Sequence, residues 1–149
     1  MKLTENFSLY ELTRSETATR KGIANTPNQD QINRIQVLCE NILQPMRDEM
    51  GPIYISSGFR SLRLNKAIGG SATSQHCALN GAAVDIDNGN KNVEIFNYIK
   101  DNLEFDQLIW EFGTDENPSW VHVSYNQGKN RNQILKAVKV NGQTKYLPF

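Results

Sequence analysis

The chain has 149 residues, 38% of them hydrophobic and 21% charged, the proportions of an ordinary globular protein with room for one sound core. Sixteen basic and sixteen acidic side chains cancel to a formal net charge of zero, so no basic excess exists to track a phosphate backbone, and nucleic acid is not an expected partner. No apolar run approaches the ~20 residues needed to cross a bilayer, so no membrane is expected either, and two cysteines do not make a disulfide framework.

Met1 to Phe7 carry no apolar signal segment, which predicts synthesis in the cytoplasm. Ser8-Leu9-Tyr10-Glu11 is a capping-box pattern and predicts a short helix from Ser8, with Leu9 and Leu12 facing the core. The polar stretch to Asn25 reads as a loop or a broken helix. At Thr26-Pro27-Asn28-Gln29, Thr26 can cap, Pro27 suits the first helical position and Gln29 can bond back, so a long helix is predicted over 27–48. Ile32, Ile35, Leu38, Cys39, Ile42, Leu43 and Met46 follow at helical spacing and mark its core face, with Cys39 a core thiol. Pro45 should kink or end this helix.

Ile53 to Ser57 reads as a strand, and Leu62 to Ile68 as a short helix stopped by Gly69-Gly70. Gly70 to Asn80 reads as a polar loop and Ala82 to Asp87 as a strand. Val93, Phe96, Ile99 and Leu103 place a second helix over 92–103. Strands follow over 105–112 and 120–125. Asn141-Gly142, between two alternating runs, predicts a closing hairpin. The order of elements predicts an α+β fold over 1–149, a mainly antiparallel sheet with packed helices.

One of the two histidines, His76, lies in a polar stretch nine residues before Asp85, which belongs to the small-apolar run Ala82-Ala83-Val84-Asp85-Ile86. The other, His122, sits between valines in Trp120-Val121-His122-Val123. Imidazole, carboxylate and imidazole, each carried on β-structure, can make a three-ligand zinc site with the fourth position open to water. The plainer alternative is that each histidine is a satisfied core residue, and spacing alone does not separate the two. Cys77, next to His76, is a possible fourth ligand or nucleophile that the pattern does not require.

With Ser56-Ser57-Gly58-Phe59-Arg60-Ser61 upstream, these motifs resemble the M15 family of zinc D-Ala-D-Ala peptidases, which shares its fold with the hedgehog signalling domain. The family pattern of Ser-x-His, Gly-x-Ala-x-Asp and Trp-x-His is filled by Ser74, His76, Gly81, Ala83, Asp85, Trp120 and His122. The resemblance runs over roughly residues 5 to 147. Phe59 replaces the family's tyrosine, and four residues, Cys77 to Asn80, replace the usual two between His and Gly, so that loop must bulge. The resemblance implies a Zn2+-dependent peptidase of peptidoglycan stem peptides, carboxypeptidase or endopeptidase, like phage and prophage members that meet the wall after release. It implies His76, Asp85 and His122 as ligands and Arg60 and Ser74 as substrate-binding residues. From the residues alone Arg60 is equally well read as a surface arginine. Ser57 and Gln75 are possible wall residues, and Trp110 and Trp120 are expected to divide between core and cleft.

Many family members carry the catalytic acid three residues before the second histidine, where this chain has Ser119, which cannot serve as the base. Glu111 is expected to take that part. The segment Phe105 to Glu111 resembles the hedgehog strand that ends in a glutamate. If strands 105–112 and 120–125 pair, Glu111 stands across from Trp120 to His122, with Cβ atoms about 5 Å apart. Otherwise it is a solvated strand end. Asp115 and Glu116 lie in the loop between, where placement is looser. The rivals to a peptidase are a zinc-containing binding module without turnover, which Ser119 would suit, and a phage structural protein. A monomer is expected, with the stem peptide as its partner.

Overall fold

In the computed structural model, which describes residues 1–149, the chain opens with an antiparallel ribbon of β1 (Lys2–Thr4) and β2 (Phe7–Ser8). Helix α1 (Leu9–Thr13) starts where its pattern predicts, with Ser8 Oγ accepting the Glu11 N–H at 3.2 Å. The polar stretch that follows is a broken helix: α2 (Glu16–Lys21), capped by Ser15, stands apart from α1.

Helix α3 (Gln29–Leu38) is capped by Asn28, not Thr26. Asn28 Oδ1 accepts the Gln31 N–H at 2.9 Å while Gln31 Oε1 accepts the Asn28 N–H at 2.8 Å. Asn28 caps at least as well as threonine, and the Gln31 side chain, three residues on, reaches back to its N–H. The helix then passes through a π turn, Cys39–Leu43, into α4 (Gln44–Met50). Pro45 does not end it. The Gln44 N–H reaches back five residues to the Cys39 carbonyl, and this wider turn makes room for a ring that lacks an N–H and crowds the preceding turn.

The remaining elements are β3 (Ile55–Ser57), α5 (Leu62–Ala67), β4 (Ala82–Ile86), α6 (Asn92–Asn102), β5 (Gln107–Glu111), β6 (Trp120–Tyr125), β7 (Gln133–Val140) and β8 (Gln143–Pro148). The six strands from β3 onward form one sheet in the order β3-β4-β6-β5-β7-β8. Neighbours are antiparallel except β5 and β7. The sheet is therefore mixed, because the chain leaving β6 crosses to the far side of β5 and re-enters alongside it. At the β7–β8 turn Asn141 and Gly142 both take positive φ, 52° and 78°, as a two-residue hairpin of the I′ kind requires.

Alternation along the strands sorts the two faces. Val84, Ile86, Leu108, Trp110, Val121 and Val123 join Ile35, Leu38, Ile42 and Met46 of the long helix and Ile95, Phe96 and Ile99 of α6 in one core of 24 buried residues. Burial of each large side chain contributes about 1.5–3 kcal/mol. Cys39 belongs to this core, and burial, with the charges of Glu11 and Glu40, pushes its thiol up to about 12. No helix is long and apolar enough to cross a membrane.

Candidate metal centre and its cleft

The opposite sheet face carries the residues with chemistry. Register pairs Asp85 of β4 with His122 of β6, His122 with Ile109 of β5, and Glu111 with Trp120. Asp85, His122 and Glu111 thus come from three adjacent strands and line one cleft of about 1280 Å³. The predicted pairing of the Glu111 strand with the His122 strand is present.

His76 arrives differently. It is not on a strand but in a single 3-10 turn, Gln75–Cys77, that drops into the cleft wall. Several bonds fix this turn. Ser74 Oγ accepts the His76 N–H at 3.2 Å, and the His76 carbonyl accepts the Arg60 N–H at 2.9 Å. His76 Nδ1 lies 2.8 Å from the Gly58 carbonyl. A carbonyl can only accept, so Nδ1 carries the proton and Nε2 keeps its lone pair. Gly58 is needed because a Cβ there would fall 2.3 Å from the Leu12 carbonyl oxygen, where the end of α1 presses on the chain.

The four residues between His76 and Gly81 leave the β4–β6 pairing regular from Ala82 to Ile86. Cys77 and Ala78 tuck into the interior, with their carbonyls accepting from Gln31 Nε2 and Arg34 Nη1 of α3. Ala78 takes φ 55° to make the bulge. Gly81 lets β4 begin against β6, since a Cβ would lie 2.2 Å from the Tyr125 carbonyl oxygen. Cys77 is buried, burial pushes its thiol up, and it stands outside the group of metal-competent side chains.

That group is His76, Asp85 and His122, whose ligand atoms all lie within 4.8 Å of one another. Asp85 Oδ1 is 3.0 Å from His122 Nδ1 and 3.4 Å from His76 Nε2. The two rings meet edge-on at 63°, centroids 5.2 Å apart. Burial lowers the His76 pKa against the pull of Asp85, so the ring is neutral. Burial works against ionising Asp85, but its close approach to the imidazoles, with His122 Nδ1 at 3.0 Å, prevails and holds the carboxyl well below its usual range. Neutral imidazole and ionised carboxylate are the forms that bind metal.

Glu111 is only 6% exposed, and burial pushes its carboxyl up to about 7, with His122 pulling it down and Asp85 pushing it further up. Asp115 and Glu116 do not line the cleft. Asp115 turns outward to an exposed ion pair with Lys136 at 2.8 Å. Ser119 holds the loop, its N–H bonded to the Glu111 carbonyl at 2.9 Å and its carbonyl accepting from Asn92 Nδ2 at 3.1 Å.

Arg60 lines the cleft, and its Nε is buried without a hydrogen-bond partner. Burial lowers its pKa against the attraction of Asp85. Arg60 also lines a neighbouring groove of about 980 Å³ beside α1 and α2, and Ser57 faces that groove alone. Ser74, Gln75 and Trp120 line the main cleft, while Trp110 packs on Phe96 in the core.

Three supporting features escaped the motif pattern. Asn25 ties three segments together, its Nδ2 donating to the Thr13 and Phe59 carbonyls and its Oδ1 accepting the Ser61 N–H at 2.7 Å. Buried Asp106 receives Arg131 through two side-chain bonds of 2.8 Å and Gln75 Nε2 at 2.7 Å, which moors the histidine turn to the start of β5. Tyr146, on β8, faces the cleft. Each depends on residues distant in sequence, so no local pattern signals it.

No curated protein matches the chain. A family profile, Peptidase M15, matches residues 5–124, which take in every cleft residue from Arg60 to His122. The chain belongs to the M15 peptidase family.

Proposed function

We propose that this protein is a zinc peptidase that hydrolyses peptide bonds in peptidoglycan stem peptides. The observation that carries the reading is the convergence of His76, Asp85 and His122 in a cleft that also holds a buried, non-ligating glutamate. The donor set suits zinc: two imidazoles and a carboxylate, with the His76 tautomer fixed from behind by the Gly58 carbonyl so that Nε2 is free. Zinc held there would supply Lewis acidity to a water nucleophile and to the scissile carbonyl.

The chain's own groups do the rest. Glu111 takes a proton from the attacking water and returns it to the leaving nitrogen, a task for which a carboxyl titrating near neutrality is matched. Its place on a strand, next to the strand of His122, fixes it better than the loop acids Asp115 and Glu116. Arg60 offers its fork to a substrate carboxylate or to charge developing on the carbonyl oxygen. Ser74 has an acceptor role in the turn and an O–H left for substrate.

The experiment is release of new amino groups from purified cell wall, measured with and without a chelator. Chelator-sensitive release is expected, restored by zinc. A binding module without turnover is the second reading, and Ser119 at the usual acid position favours it. Zinc-loaded protein that binds walls of several chemotypes and releases nothing would establish it instead.

A further inference from the structure

Tyr146 stands outside the residues that the family profile matches, yet it shares the cleft with Arg60, His76, Asp85, Glu111 and His122. Register explains how it gets there. Glu111 pairs with Ala137 on β7, and Ala137 pairs with Tyr146 on β8, so all three occupy one row on one face. Adjacent strands are about 4.8 Å apart, which separates the Glu111 and Tyr146 backbones by roughly 10 Å. Between them is only the methyl of Ala137, itself completely buried. A phenol can lie across that methyl towards the carboxylate, where a bulkier neighbour would block it.

Two further observations support this placement. Partial burial, and then the negative charges of Glu111 and Asp85, raise the Tyr146 phenol above its ordinary pKa. A protonated phenol is a hydrogen-bond donor. The strand end is also anchored: Phe149 packs against Phe96 and Trp110 with centroids 4.9 and 5.8 Å away, and its N–H bonds the Ile134 carbonyl. Tyr146 remains 55% exposed, so a ligand can reach it.

We propose that the Tyr146 hydroxyl donates a hydrogen bond to the scissile peptide unit, from the cleft wall opposite Arg60. Arg60 follows β3 and Tyr146 lies in β8, the two edges of the sheet, so a substrate over Asp85, His122 and Glu111 is held from both sides. The assignment rests on the peptidase reading.

Tyr146→Phe removes only the hydroxyl. Zinc-loaded wild type and variant are compared on a purified stem pentapeptide for kcat and KM, with zinc content and melting temperature measured alongside. Binding of the same pentapeptide is measured calorimetrically to Glu111→Gln and to the Glu111→Gln/Tyr146→Phe double variant. The expected result is a loss of about tenfold or more in kcat/KM at unchanged zinc content and melting temperature, and weaker binding by the double variant. Equal turnover and equal binding would overturn the assignment and leave the peptidase reading intact. A variant that loses zinc or melts earlier would show a structural tyrosine and overturn it too. A wild-type protein that neither binds nor cleaves the pentapeptide or intact wall would remove the peptidase reading, and this assignment with it.

Discussion

On one face of the six-stranded sheet Val84, Ile86, Leu108, Trp110, Val121 and Val123 pack into the helical layer, and water is shut out. On the other, Asp85, His122 and Glu111 from the same strands stand in an open cleft. The two faces differ by one step along each strand, so a slip of one residue would exchange them. The apolar face supplies the stability and fixes the register. The polar face can then hold a buried carboxylate and two imidazoles at spacings that contribute little to folding. Substitutions should therefore divide cleanly: changes on the apolar face cost the fold, and changes on the polar face cost chemistry.

The sharpest break comes at His122. With one of the cluster's three donors gone, His122→Ala should abolish stoichiometric zinc binding and turnover, yet keep the circular dichroism of the metal-free wild type. Metal analysis of the purified variant checks this. Phe96→Ala does the opposite. It should lower stability by about 3–5 kcal/mol in denaturant titrations, because Phe96 is completely buried against Trp110. Where that variant stays folded, its zinc content per chain should be unchanged.

Glu111→Gln should lower turnover by about a hundredfold or more with zinc retained, read on cell wall or stem peptide. The same variant sharpens the comparison through pH. In the folded metal-free protein Glu111 keeps its proton up to about 7, while the unfolded chain releases it near the ordinary 4.5. The folded state binds more protons in that window, so stability falls as pH rises through it. Melting of the metal-free Glu111→Gln protein should show a shallower fall between about pH 4.5 and 7 than wild type. The smallest effect is expected at Glu116, an exposed loop residue outside the cleft, where Glu116→Gln should leave turnover within about twofold.

Much of the site is legible in the sequence because its chemistry needs particular residue types and the strands place them by simple alternation. Asp85 follows from a five-residue apolar run, His122 from its flanking valines, and the Glu111 position from two strands joined by one short loop. What the sequence hides is set by the other end of a contact. The helical cap moved to Asn28 because Gln31 reaches back to it, and Pro45 was absorbed by a π turn that no local preference announces. His76 sits in a turn held by Gly58, Arg60 and Ser74, not on a strand. The parallel β5–β7 pairing, which brings Ala137 and Tyr146 beside Glu111, arises from a crossover whose partner strand cannot be chosen from periodicity. The Asp106–Arg131 pair is likewise a meeting of residues 25 apart.

Everything proposed for the cleft depends on His76, Asp85 and His122 jointly holding one zinc ion. X-ray absorption at the zinc edge, on protein loaded with one equivalent, tests it most directly. The expected spectrum has a shell of nitrogen and oxygen only, at about 2.0–2.2 Å, with the multiple-scattering signature of two imidazoles. A sulfur shell near 2.3 Å would place the metal on Cys77 or Cys39 and contradict it, as would a spectrum without imidazole.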